Sequence, residues 1–128
     1  MQMDLLADAL NQIKICDKVG KKECTIKHSK LIENVLKVMK KYGYIKNYLV
    51  LKEGNFLKIK VFLSNKIVDC KAIKPRFPCS VDDIFKFEKR YLPAREKGIL
   101  ILTTSKGVMS HIDARSLNVG GSLLAYVY

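Results

Sequence analysis

Three hydroxyls, an ammonium and a glycine stand in succession at Thr103-Thr104-Ser105-Lys106-Gly107, directly after the apolar run Ile99-Leu100-Ile101-Leu102. Hydroxyls both donate and accept, so they can bond phosphate oxygens, ribose hydroxyls and base edges. Lys106 adds a cation, and Gly107 permits a close backbone approach. A turn held on the end of a buried strand is fixed in space, as recognition of a folded RNA by shape requires. An ordinary polar hairpin turn would explain the same residues equally well. A second polar corner, Gly120-Gly121-Ser122, lies beside the first only if the final strand pairs with the 99–102 strand. Spacing does not decide that, and a plain glycine turn is the simpler reading.

Other reactive types are arranged less suggestively. Ser110-His111 holds a nucleophile and a base, but sequence neighbours rarely present the geometry of proton transfer. Ser110 suits a helix cap, which leaves His111 exposed in the first turn. Asp82-Asp83 and the pair Asp4 and Asp8 sit at helix starts or on a helix face, where acids favour the dipole without any metal. Cys16, Cys24, Cys70 and Cys79 show no zinc-finger spacing and read as reduced thiols of a cytosolic protein. The residues therefore indicate no catalytic site, no metal and no cofactor.

The elements that must position these groups follow from periodicity. Asp4 can cap a helix with Leu6, Ala9, Leu10, Ile13 and Cys16 on one face, ended by Gly20. A short strand spans 23–27. Ser29 opens a second helix with Ile32, Val35, Leu36, Met39 and Tyr42 apolar, and Gly43 suits its left-handed end. Residues 44–52 form a mixed strand. In 56–63, Leu57, Ile59, Val61 and Leu63 alternate with Phe56, Lys58, Lys60 and Phe62 across a hairpin at Glu53-Gly54-Asn55. Beyond the turn at Ser64-Asn65 a strand over 67–74 is stopped by Pro75 and Pro78. Ser80 and Asp83 form a capping-box pair opening a helix to about Tyr91. The buried strand, the hydroxyl turn, a short return at 108–109, a short helix from Ser110 and a final strand over 122–128 complete the chain. The fold class is α+β, in two interlocked small lobes. Residues 1–64 form an α-β-α-β-β lobe; residues 65–128 form a mostly β lobe with short helices that carries the hydroxyl turn, the main candidate for RNA binding.

Charge narrows the partner. The 128 residues include 24 Lys+Arg and 12 Asp+Glu, a net +12. Residues 1–64 hold 13 basic against 6 acidic side chains and residues 65–128 hold 11 against 6, so the halves carry +7 and +5. The charge covers the folded body, which attracts polyanions by counterion release and steering. No run is long and apolar enough to span a bilayer, and the start of the chain lacks the basic region and cleavage site of a secretory signal. The lysine-rich helix over 30–41 could lie on a membrane, but so short a chain needs its apolar face as core. No membrane and no small-molecule substrate are expected.

Four segments in this order resemble the small-subunit ribosomal protein eight family in its archaeal and eukaryotic form. They are Asp4-Leu5-Leu6-Ala7-Asp8-Ala9-Leu10, Ser29-Lys30-Leu31-Ile32, Thr103-Thr104-Ser105-Lys106-Gly107-Val108-Met109-Ser110, and Gly120-Gly121 before a strand ending in aromatics. The stretches 72–77 and 87–95 resemble the archaeal branch especially. The resemblance implies a structural constituent of the small ribosomal subunit, in the cytoplasm and on the ribosome. It would bind the central domain of small-subunit ribosomal RNA at a helix with an internal loop, beside other small-subunit ribosomal proteins. Carried over by position, Thr104, Ser105 and Lys106 are central RNA contacts, supported by Thr103 and Gly107, with Gly121 and Ser122 bordering the internal loop. Met3, Asp4, Ala7, Asp8 and Asn11 line a first contact, with Lys30 nearby. Ser122 stands where bacterial members carry Glu, and Leu5 where they carry Pro. The alternatives are a translational regulator that binds messenger RNA and, less in keeping with the residues, an RNA-processing enzyme.

Overall fold

The computed structural model describes residues 5–73, 76–93 and 97–128. Met3 and Asp4, expected to contribute to the first RNA contact, lie outside the described residues, as does the proposed cap at Asp4. The chain divides into two compact units, the first ending at Asp69 and the second beginning at Cys70.

In the first unit, α1 (Leu5–Lys18) buries Leu6, Ala9, Leu10 and Ile13 along one face, and α2 (Lys30–Lys41) buries Ile32, Val35, Leu36, Val38 and Met39. Ser29 caps α2: its hydroxyl accepts from the Ile32 N–H at 3.2 Å, filling one of the donors a helix start leaves open. Both helices cover one face of an antiparallel sheet ordered β1-β3-β2, built from β1 (Glu23–Lys27), β2 (Ile45–Glu53) and β3 (Phe56–Leu63). Cys24 and Ile26 of β1 and Ile59, Val61 and Leu63 of β3 point into that core. The period-two pattern of β3 thus sets which face is buried.

Asp17 departs from the amphipathic pattern of α1, being a carboxylate only 1% exposed. It accepts from the Asn65 N–H at 2.9 Å and from the Ile67 N–H at 3.1 Å. Those bonds hold residues 65–67 to α1, and Lys14 pairs with Asp69 at 2.7 Å. The break expected after residue 64 therefore falls within the first unit. They also correct the start of the strand expected over 67–74: Ile67 donates to a side chain, the strand β4 spans Cys70–Ala72, and the Ile73 N–H still donates to the Leu124 carbonyl at 2.9 Å, while Lys74 lies outside the described residues.

The second unit is a sheet ordered β4-β8-β6-β7, with β5 (Pro78–Cys79) also pairing with β8 (Gly121–Val127). The strand β6 (Ile99–Thr104) is buried on both faces from Ile99 to Leu102, and β7 (Gly107–Ser110) returns antiparallel to it. Leu100, Leu102 and Leu123 join Ile84, Phe87, Leu92, Met109 and Ala114 in one cluster. A bulge opposite Ile101/Leu102 leaves Leu124 unmatched, pairing Leu102 with Leu123 but Leu100 with Tyr126. The bulge shifts the phase of β8, so Leu123 shares its face with Tyr126 rather than with Ala125, as simple alternation would have it.

Two short helices close this unit. Ser80 N–H donates to Asp83 and Asp83 N–H donates to the Ser80 hydroxyl, each at 3.3 Å, so the expected capping box forms; α3 itself runs Ile84–Tyr91, after a turn. Ser110 caps α4 (His111–Leu117), accepting from the Asp113 N–H at 3.2 Å. His111 is 3% exposed, which corrects the expectation of an exposed histidine. Its Nδ1 accepts the Leu100 N–H at 3.0 Å, so the ring proton resides on Nε2, 3.5 Å from the Glu88 carboxylate that also pairs with Arg115. The imidazole supplies an acceptor to a buried strand donor; burial pushes its pKa below the ordinary 6.5.

Asp17→Ala leaves two backbone donors without their acceptor and should cost about 2–3 kcal/mol in urea unfolding, with a smaller loss for Asp17→Asn. Because folding lowers the His111 pKa, the unfolded chain takes up the proton first as pH falls. Its contribution is complete above 6.5 and declines below it. His111→Asn, which keeps an acceptor near Nδ1, should therefore show a shallower stability loss between about pH 7.5 and about pH 5.5 than the parent chain.

Candidate nucleic-acid interface

The hydroxyl turn is a hairpin in which Thr104 pairs with Gly107, leaving Ser105 and Lys106 as the two tip residues. Neither tip residue takes a positive φ; Gly107, at +114°, absorbs the reversal. Thr104 braces the turn from inside. Its Oγ1 donates to the Gly107 carbonyl at 2.9 Å and accepts from the Lys106 N–H at 3.1 Å. A hydroxyl has one proton and two lone pairs, so Thr104 keeps only one acceptor site for a ligand. Ser105 and Lys106 are exposed at the tip, while Thr103 and Thr104 are half-buried. The turn is thus divided between a residue that shapes it and two residues that project from it.

Strand pairing places the glycine corner against this turn. In β6 and β8, Thr103 pairs with Ser122 and Thr104 with Gly121. Directly opposed residues of an antiparallel pair share a face, so Thr103 and Ser122 stand side by side. The two glycines are there for space rather than for turn freedom, since neither has a positive φ. A Cβ on Gly121 would run into the Thr103 carbonyl, and one on Gly120 would meet the Cys79 carbonyl at 2.8 Å. Three backbones, those of β5, β8 and β6, close on one another at this corner. The expectation of a plain glycine turn is corrected accordingly.

On the first unit, Ala7, Asp8 and Asn11 lie on α1 at three- and four-residue spacings, hence along one strip, with Asp8 and Asn11 exposed and Ala7 half-buried. Gln12 beside them donates to the Thr25 carbonyl at 3.2 Å, tying this part of α1 to β1. Lys30 is exposed at the first position of α2. The expected residues therefore gather as two groups, one on each unit.

Sequence reading missed an aromatic ladder in the second unit. Phe77, Phe87, Tyr91, Tyr126 and Tyr128 stack in succession at centroid separations of 6.0, 6.4, 5.7 and 5.9 Å. The Arg90 guanidinium lies 5.3 Å from the Phe77 ring and 5.4 Å from that of Tyr91. The four-residue spacing of Phe87 and Tyr91 was the available signal; the contribution of Phe77 and of the last strand depends on tertiary pairing.

Two buried cysteines are withdrawn from covalent chemistry. Burial pushes the Cys24 thiol up to about 12 and the Cys79 thiol up to about 11, far from the thiolate form. Among the described residues no three His, Cys, Asp or Glu side chains gather as a metal site, and no helix is long and apolar enough to cross a membrane.

The family model described as ribosomal protein S8 matches residues 4–128. The chain belongs to the ribosomal protein S8 family. It is 55% identical to small ribosomal subunit protein uS8 of Archaeoglobus fulgidus and 51% identical to that of Thermoplasma acidophilum, with the full length of both chains covered in each case. Identity to the uS8 protein of Caldivirga maquilingensis is 49%, covering all of this chain and 99% of that one. The S8 family is one of ribosomal structural proteins rather than enzymes, which agrees with the reading of Ser110, His111 and the paired acids as structural groups.

Gly121→Ala should cost about 3 kcal/mol, at the upper end for overpacking, because its obstacle is backbone rather than a movable side chain. Gly107→Ala has no atom within 4 Å of the added carbon and should cost about 1–2 kcal/mol, from strain alone. Denaturant midpoints rank the two, and an equal or reversed ranking would contradict the crowding at the corner.

Proposed function

We propose that the chain, as a ribosomal protein of the small subunit, binds the central domain of small-subunit ribosomal RNA directly and helps it assemble. The carrying observation is the pairing of Thr103 with Ser122 and of Thr104 with Gly121, which supports a single polar surface at the end of a sheet whose central strand is buried. In this reading Ser105 and Lys106 enter the irregular RNA. The Ser105 hydroxyl exchanges hydrogen bonds with ribose or base edges, and Lys106 neutralises phosphate. Thr103 and Ser122 add hydroxyls at the base of the turn, Thr104 keeps the turn's shape, and Gly107 leaves its backbone open to approach. The strip Ala7, Asp8 and Asn11 with Lys30 forms the second contact. A carboxylate such as Asp8 repels phosphate but accepts from 2′-hydroxyls and base amino groups, which suits a minor-groove or loop contact.

This arrangement recognises contour. It holds donors and acceptors on a scaffold that need not rearrange, so little ordering entropy is lost on binding. The net charge of +12 contributes long-range attraction and a salt-dependent share of the affinity.

Ser105→Ala should weaken binding to a central-domain RNA fragment by about 1–3 kcal/mol and leave unfolding unchanged. Lys40→Ala, on the exposed side of α2, should change binding by no more than a few tenths of a kcal/mol. Lys106→Ala should lower the slope of log affinity against log salt by about 1, the signature of one lost phosphate contact. Footprinting on intact small-subunit RNA locates the site; protection outside the central domain, or equal binding to random duplexes, would remove the proposal.

A further inference from the structure

The sheet of the first unit is covered on one face only, and its uncovered face is not uniformly polar. Reading across the strands, Glu23, Phe62 and Asn47 form one row and Thr25, Lys60 and Leu49 the next. Lys27, Lys58 and Leu51 form a third row, and Phe56 stands opposite Glu53 at the hairpin end. Phe56 is 73% exposed, Leu49 49% and Leu51 36%. Beyond the last residue of β1 the hairpin continues as a two-stranded ribbon. There Leu57, on the face the helices cover elsewhere, is exposed opposite in sense to Phe56, and Val50, in the Ile26–Ile59 row of the same face, is exposed as well. Two-stranded ribbons with apolar residues bare on both faces are marginal until something packs on them. The strand β2 is also the outer strand of the sheet, and among the described residues nothing pairs with its free edge.

We infer that this hairpin, centred on Leu49, Leu51 and Phe56 and including the free edge of β2, docks an extended apolar segment with acidic flanks from another protein of the small subunit. The inference rests on the chain's place in that subunit and extends it to a partner surface distinct from the hydroxyl turn.

Charge selects the occupant. Lys46 and Lys52 sit at the two ends of β2, with Lys27 on the same sheet, and among the described residues no ion pair engages any of the three. The lysines in the middle of the face are already paired, Lys60 with Glu23 at 2.9 Å and Lys58 with Glu53 at 3.3 Å. A strand laid along β2 finds an apolar stretch from Tyr48 to Leu51 bounded by cations, and acids at its own ends complement them. A second copy is disfavoured: antiparallel pairing of β2 with itself about Leu49 sets Lys46 against Lys52 twice, and both chains carry +12. RNA is disfavoured too. Leu49, Val50, Leu51 and Leu57 offer bases neither a stacking face nor hydrogen bonds, so of the bare apolar side chains Phe56 alone could stack on a base. The Phe62 ring already has the Lys60 ammonium over it at 5.8 Å. Buried leucine and phenylalanine anchors with a charged rim are the composition of a protein contact.

The test is photo-crosslinking within small subunits assembled from archaeal ribosomal RNA and proteins. Benzoylphenylalanine replaces Leu51 in one chain and Ser105 in another. Position 51 should label a ribosomal protein at an apolar stretch flanked by Asp or Glu, while position 105 labels RNA. Labelling of RNA, of a second copy or of a basic segment by position 51, or no label at all, overturns the inference. If position 105 misses RNA while position 51 still finds the acidic-flanked segment, the RNA-site assignment fails and the docking surface stands. If the chain does not enter the subunit, both fall. In parallel, Leu49→Asp/Leu51→Asp should reduce incorporation into subunits about tenfold, as losing interface anchors does. Affinity for the isolated RNA fragment and the unfolding midpoint should stay unchanged; unimpaired incorporation would also overturn the inference.

Discussion

At the corner where β5, β8 and β6 converge, three backbones occupy space that a single methyl group would deny them. The Thr103 carbonyl lies over Gly121, and the Cys79 carbonyl and Ser80 lie over Gly120. This close approach sets the pairing of β8 with β6 and so the position of everything mounted on the end of β6. Interiors are packed too densely to absorb an inserted methyl by small adjustments. The consequence is that the polar end of the second unit inherits its geometry from the apolar part. Ile99–Leu102, buried on both faces, leads without a flexible joint into Thr103 and the turn.

The polar groups of the chain are divided in a consistent manner between those satisfied internally and those left facing outward. Asp17, His111 and the Thr104 hydroxyl all hold backbone N–H groups that sheet or helix ladders do not satisfy. A buried donor without an acceptor is costly, which commits Asp17 and His111 to structure, while Thr104 shapes an exposed turn. Ser105 and Lys106 are under no such obligation. For the proposed role, recognising RNA without transforming it, this division would be sufficient: the inward polar groups fix the shape, and the outward ones are left for a ligand. A catalytic site would instead need reactive groups both exposed and perturbed, whereas here the buried thiols are pushed towards inertness.

Membership of the ribosomal protein S8 family gives both kinds of exposed surface a context. In a ribonucleoprotein particle a basic protein meets RNA over much of its surface, and apolar patches that would be a liability on an isolated chain become contacts. The bare hairpin residues Leu49, Leu51 and Phe56 fit that setting better than they fit a free protein. In the chain by itself, the cations bounding β2 discourage edge-to-edge association.

Much of this was legible in the order of residues. The 3.6 and 2.0 periodicities of α1, α2 and β3 follow from local geometry, and the caps at Ser29 and Ser110 are short-range hydrogen bonds that the residue types announce. The α+β class and the resemblance to the S8 family followed from such local signals taken together. Other features depend on partners distant in the chain, and no local pattern encodes them. The bulge that aligns Leu123 with Tyr126 arises from pairing with β6. The shortening of the 67–74 strand arises from Asp17, which draws Ile67 towards α1, and the burial of His111 from a donor on β6. Most consequentially, the sequence supplied the hydroxyl turn and the glycine pair as separate segments. Only antiparallel pairing across the sheet brought Thr103 beside Ser122, because adjacency there is a property of register, and register is decided where strands far apart in the chain meet and bury their apolar faces together.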